Sequence, residues 1–160
     1  MPCAKRLSLE PLAAAVAAER SAGRTVVLAN GGFDLIHVGH VRYLQGAKAL
    51  GDVLVVALNS DASLRGLKGA GRALIDEEGR ARIIAALACV DYVTLFSAPT
   101  VTGVLRALTP DVHCKGADYT PDSIPEREVV LGYGGRLAIA GGAKVRSTSQ
   151  VIRRIKELYG

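Results

Sequence analysis

The chain has no tryptophan and few aromatic residues of any kind. It therefore has no row of rings on which nucleic-acid bases would stack. No long basic run makes up for this. Lysines and arginines are scattered, with short clusters only between Arg65 and Arg72 and at Arg153-Arg154. A nucleic-acid partner is not expected. No apolar run approaches membrane-spanning length, so no membrane partner is expected either. The cysteines Cys3, Cys89 and Cys114 form no CxxC pair, which argues against a zinc site. Two of them sit in apolar stretches and read as buried free thiols of a reducing compartment. Lys5 and Arg6 are followed by Glu10 and Glu19 in an alanine-rich helical pattern. That pattern suits a docking or capping helix rather than a signal peptide, and the expected location is cytoplasmic. No internal repeat, low-complexity segment or interdomain linker is evident. No serine or cysteine nucleophile stands beside an obvious base.

What is present is a chain of 160 residues, 49% hydrophobic and rich in alanine and glycine. That is enough for one domain with a core of small and branched aliphatics, as in a helix-covered parallel sheet. Apolar runs at Thr25 to Ala29, Val53 to Leu58, Tyr92 to Phe96, Val112 to Cys114 and Arg136 to Ala140 read as strands. Helical patterns lie between them, at Val38 to Leu50, Asp61 to Leu67, Asp76 to Ala88, Val101 to Leu108 and Glu126 to Gly132. A further helix, Leu9 to Arg20, precedes the first strand, and Ser147 to Leu158 follows the last. Alternation of this kind predicts an α/β fold with a single doubly wound parallel sheet of about five strands. The expected division is an N-terminal helical segment, residues 1–24, and a core over residues 25–160. Ligands bind such sheets beyond the carboxyl ends of the strands. The loops at Asn30 to His40, Lys115 to Tyr119 and Gly141 to Ser149 should therefore share one rim. The formal charge of +5 favours a small anionic substrate there.

The first of those loops carries most of the chemistry. Asn30-Gly31-Gly32-Phe33-Asp34-Leu35-Ile36-His37-Val38-Gly39-His40 runs from a strand into a helix start. His37 and His40 are three apart and share a helix face. The first N–H groups of a helix lack internal partners and the dipole is positive there, so the segment suits a phosphate. Gly31 and Gly32 are expected to allow a tight turn, and Gly39 to leave room for a ligand. The plainer reading makes one histidine a helix cap; a metal pair lacks an obvious third ligand.

The segment from Phe33 to His40 resembles the HxGH signature of the cytidylyltransferase-like nucleotidyltransferases. The resemblance continues through Ala47 to Asp52 and reaches Ser147-Thr148-Ser149, covering about Thr25 to Lys156. Within that superfamily the chain is similar to the adenylyltransferase part of the heptose kinase/adenylyltransferase proteins. Asn59 to Ser63, Leu67-Lys68-Gly69, Val90 to Val93 and Lys115 to Tyr119 carry that likeness. It departs from the pattern at Ala73, where proline is common. Arg146 precedes Ser147 in place of the Arg-Thr-Glu-Gly-Ile run of the glycerol phosphate cytidylyltransferases, which argues against CTP.

The resemblance implies a Rossmann-like nucleotidyltransferase fold and transfer of AMP from ATP to D-glycero-β-D-manno-heptose 1-phosphate. The products would be ADP-heptose, for lipopolysaccharide inner-core synthesis, and pyrophosphate. It implies Mg²⁺ with the ATP, a homodimer, and a separate upstream kinase. A sugar phosphate oxygen is already anionic, so positioning and electrostatics should dominate catalysis. His37, His40 and Lys48 are the implied catalytic residues, with Lys48 expected on the histidines' helix face. Asn30, Gly31, Gly32, Phe33, Asp34, Gly39, Lys115, Ser147, Thr148 and Ser149 are implied to bind nucleotide, and Asp34 to help hold Mg²⁺. Lys68, Arg72, Arg82, Asp118 and Tyr119 are implied to contact substrate. The plainer readings are a solvated Lys48, a loop-shaping Asp34, a capping box at Ser147 and Gln150, a solvated Lys68–Arg72 loop, and a surface ion pair at Arg82. Two alternatives stay open: a cytidylyltransferase acting on an alcohol phosphate or phosphonate, and a non-catalytic nucleotide-binding module.

Overall fold

The structure, a computed structural model, describes residues 4–143 and 147–160. Cys3 and Arg146 lie outside the described residues. Five strands form one all-parallel sheet: β1 (Val26–Gly31), β2 (Val53–Asn59), β3 (Tyr92–Phe96), β4 (Val112–Gly116) and β5 (Arg136–Ala140). Their spatial order is β3-β2-β1-β4-β5. The chain winds outward from β1 through β2 to β3, then returns to the other side of β1. The winding reverses between β1 and β4, which is where a doubly wound sheet opens a crevice.

Helices cover both faces. The side chains of β1 and β2 alternate, and each face has its own apolar layer. Val27, Ala29, Leu54, Val56 and Leu58 pack under α2 (Val38–Lys48) and α4 (Glu77–Ala85), meeting Leu44, Ala47, Ala81 and Ile84. Val26, Leu28, Val53, Val55 and Ala57 pack under α1 (Leu9–Ser21), α5 (Thr102–Leu108) and α6 (Arg127–Gly132). Both layers draw on β2, whose every residue is buried. This is why its sequence shows no polar alternation.

The N-terminal helix is one layer of this sandwich, since Leu12 and Val16 are sealed in it. Two elements lie outside the layers. Helix α3 (Asp61–Lys68) follows β2 directly and sends only Ser63 and Leu64 inward. Helix α7 (Thr148–Tyr159) buries no residue. Among the described residues no helix is long and apolar enough to cross a membrane. Cys114 is buried, Cys89 is half-buried, and both are free.

Candidate active site

The motif loop leaves β1 at Gly31 and enters α2 through His37, the helix N-cap. Neither Gly31 nor Gly32 adopts positive φ; the residue that does is Phe33, at +48°. The expectation of a glycine turn is thus corrected to one of packing. A Cβ on Gly32 would come within 2.6 Å of Leu64, and one on Gly31 within 3.1 Å of the Phe33 ring. Phe33 is buried, lies 5.2 Å from the His40 ring and stacks on Tyr43 at 6.3 Å. Tyr43 in turn donates to the Cys114 carbonyl at 2.7 Å, tying α2 to β4.

His37 and His40 stack with ring centroids 3.8 Å apart. His37 Nδ1 accepts from the Gly39 N–H at 3.1 Å, and His40 Nδ1 accepts from the His37 N–H at 3.4 Å. The capping reading and the shared face therefore hold together. With each Nδ1 accepting, the proton of each neutral ring sits on Nε2. Burial, and secondly the neighbouring His37, lowers the His40 pKa from 6.5 to about 4. Each ring thus carries its proton on Nε2, with His40 neutral at physiological pH. The backbone offers less than the motif suggests, because His37 already takes the Gly39 N–H.

Two side chains hold this loop from behind. Asp34 is buried, and its Oδ1 accepts from the Ile75 N–H at 3.2 Å. Its Oδ2 is buried without a partner. Arg80 is fully buried and donates to the Gly32 carbonyl at 2.5 Å, Asp61 Oδ1 at 2.7 Å and the Ile75 carbonyl at 3.0 Å. It ties the loop to the starts of α3 and α4. Sequence reasoning chose Arg82, which is exposed on α4. The signal for Arg80 was its place one residue before Ala81 on the face that α4 turns to the core.

Lys48 is not at this site. Its Nζ lies 2.5 Å from Asp91 Oδ2 and 2.6 Å from the Asp52 carbonyl. Both partners flank the amino ends of β2 and β3. Eight residues along a helix separate His40 from Lys48 by about 12 Å. A shared helix face gave no shared rim, and the expected catalytic role is corrected to an anchoring one.

The other loops do reach the carboxyl rim. Lys115 ends β4 nearly buried, 3.5 Å from Glu126 Oε2 and 5.0 Å above the Tyr119 ring. Burial lowers its pKa, against the pull of Glu126. Asp118 is exposed beside it. Asn30, at the end of β1, meets His113 of β4 at 3.1 Å. Arg72 donates to Ser149 Oγ at 2.7 Å, joining the basic loop to the start of α7, whereas Lys68 is exposed. Ser147 caps α7: its Oγ accepts from the Gln150 N–H, and Gln150 Oε1 accepts from the Ser147 N–H. Thr148 opens the helix.

The donors that the motif loop and the rim loops supply are of a kind that suits a polyphosphate. They are the two Nε2–H groups, the Asn30 amide, Lys115 and the Arg72–Ser149 bridge. They are not arranged as a metal cage. No group of three or more His, Cys, Asp or Glu that could hold a metal occurs among the described residues. Asp34 is turned inward, with Oδ1 engaged and Oδ2 covered, so it does not fit as a Mg²⁺ ligand in this arrangement.

Residues 28–153 match the model of a family described as cytidylyltransferase-like. The chain belongs to the cytidylyltransferase-like family. It is 50% identical to the bifunctional protein HldE of Geobacter sulfurreducens, over 98% of this chain and 32% of that protein. Against the bifunctional protein HldE of Syntrophotalea carbinolica the identity is 51%, over 88% of this chain and 29% of that one. The chain thus spans about a third of the length of the curated relatives it matches. Among solved structures it is similar to the lipopolysaccharide core biosynthesis protein of Thermoplasma volcanium GSS1. That likeness has a TM-score of 0.67 and 28% identity, covering 78% of this chain and all of the other.

Proposed function

We propose that this domain transfers AMP from ATP to a sugar 1-phosphate, D-glycero-β-D-manno-heptose 1-phosphate, giving ADP-heptose and pyrophosphate. The observation that carries the reading is the stacked His37–His40 pair at the start of α2, each ring held by its Nδ1 so that its proton lies on Nε2. Half identity to bifunctional HldE proteins over nearly the whole chain, and likeness to a lipopolysaccharide core protein, support the acceptor.

The reaction joins two anions, so the protein's task is to screen and orient. A sugar phosphate oxygen attacks the α-phosphorus of ATP. The bond from that phosphorus to the bridging oxygen breaks, and pyrophosphate leaves. His37 and His40 donate to the phosphate oxygens on which charge builds. Lys115 and Asn30 approach from β4 and β1. Arg72, hydrogen-bonded to Ser149, supplies positive charge for the leaving pyrophosphate. Lys68, Asp118 and Tyr119 contact the sugar phosphate or the ribose. The described residues build no Mg²⁺ site of their own; a Mg²⁺ brought in with the nucleotide would screen the phosphate charge.

The sugar 1-phosphate must come from a kinase reaction. The relatives are bifunctional single chains, so a second activity does not require a separate protein. The domain acts as a homodimer in the cytoplasm. ATP and CTP, each supplied with the heptose 1-phosphate and with glycerol 3-phosphate, test the reading by pyrophosphate release. Release only with ATP and the heptose 1-phosphate supports it; release with CTP and glycerol 3-phosphate refutes it.

A further inference from the structure

His113 lies on β4 opposite Leu28 of β1 and is fully buried. Its Nε2 is 3.1 Å from Asn30 Oδ1, while its Nδ1 is buried without a partner. The hydrogen positions follow from that asymmetry. A proton on Nδ1 would be a buried N–H with no acceptor, which native structures rarely tolerate. A proton on Nε2 leaves a bare acceptor at Nδ1, the cheaper orphan. Nε2–H therefore donates, and Asn30 Oδ1 accepts. The carboxamide is fixed with its Nδ2 on the side away from His113. Nδ2 has no hydrogen bond among the described residues. Asn30 itself stands at the end of β1, where the winding of the sheet reverses, and is half-buried.

We propose that His113 is a positioning residue for the nucleotide site: by holding Asn30 Oδ1 it presents the Asn30 Nδ2–H₂ group to an acceptor oxygen of the bound nucleotide. The proposal rests on the nucleotidyl-transfer reading for its ligand, and adds a residue with no direct ligand contact. Burial, and secondly the charge of Lys115, lowers the His113 pKa to about 3. The ring is therefore neutral at physiological pH, with its single proton on Nε2. No motif marks His113. Its role arises because parallel pairing sets it two positions behind Asn30, on the same face of the sheet.

ATP binding to the whole chain tests this by calorimetry. His113→Leu is expected to weaken ATP binding about 5- to 10-fold, and His113→Gln, which keeps an N–H donor, to recover most of the loss. In an Asn30→Ala background His113→Leu is expected to cost no further affinity, although its melting temperature falls in both backgrounds. The ¹⁵N resonances of His113 should show the Nε2–H tautomer. That signature and His113→Gln decide the matter if His113→Leu does not fold. The Nδ1–H tautomer, unchanged affinity in His113→Leu, an equal loss in the Asn30→Ala background, or a wild-type chain that binds no ATP overturns the proposal. A wild-type chain that binds ATP but releases no pyrophosphate with any acceptor overturns the reaction and leaves the His113 readouts standing.

Discussion

Lys48 Nζ and Asp91 Oδ2 form an ion pair 2.5 Å long, at the end of the sheet opposite the histidines. The same carboxylate oxygen accepts from the Leu54 N–H, so one contact fixes both the last turn of α2 and the entry of β2. Lys48→Met is expected to lower stability by about 1–2 kcal/mol, since both groups are only partly exposed and hydrogen-bonded. It should leave kcat and KM within about twofold. Urea unfolding and steady-state kinetics check this together; a large fall in kcat at unchanged stability would return Lys48 to the phosphates.

The case of Lys48 shows what the sequence carries and what it does not. Periodicity reports which face a residue shares, not how far along the axis it lies, and Asp91 is 43 positions away. The five strands were legible because buried parallel strands are unbroken apolar runs. The Ser149 loop was placed on the rim by topology, but its meeting with Arg72, 77 residues away, was not legible. Helix phase marked Arg80 as core-facing, but its role and that of His113 were not legible, because a buried polar side chain is recognised by its partners. The turn expected at Gly31 and Gly32 was misread for a related reason: the left-handed residue is Phe33, packed on Tyr43 and His40, where glycine would ordinarily be chosen.

Arg80→Leu removes the guanidinium that links the Gly32 carbonyl to Asp61 and leaves that largely buried carboxylate with only the half-exposed Arg65 guanidinium, 3.8 Å away. A loss of about 3–5 kcal/mol is expected in denaturant unfolding. Arg80→Lys should recover little of it, because a single ammonium cannot serve three acceptors in a fork. Full recovery by lysine would show that charge alone matters there.

Acid should weaken the fold through two histidines. His40 and His113 have pKa values lowered to about 4 and about 3. Below about pH 6.5 the unfolded chain binds protons that the native one refuses, so stability falls with pH down to those values. His113→Leu should flatten the dependence of the urea midpoint on pH between about 6.5 and 3. An unchanged slope would mean that His113 is not buried neutral.

A polyphosphate beside the two Nε2–H groups should favour the imidazolium form. Addition of ATP is expected to raise the His40 pKa by about one unit or more, followed by NMR titration of its ring protons. A pKa that stays near 4 with saturating ATP would place the phosphates elsewhere.

The most direct test of the account is His40→Ala, measured by pyrophosphate release with ATP and D-glycero-β-D-manno-heptose 1-phosphate and, separately, by ATP binding. Removal of a donor that acts on developing charge is expected to cut kcat by about 10²–10³ while ATP affinity changes only a few-fold. Near-normal turnover in His40→Ala would contradict it.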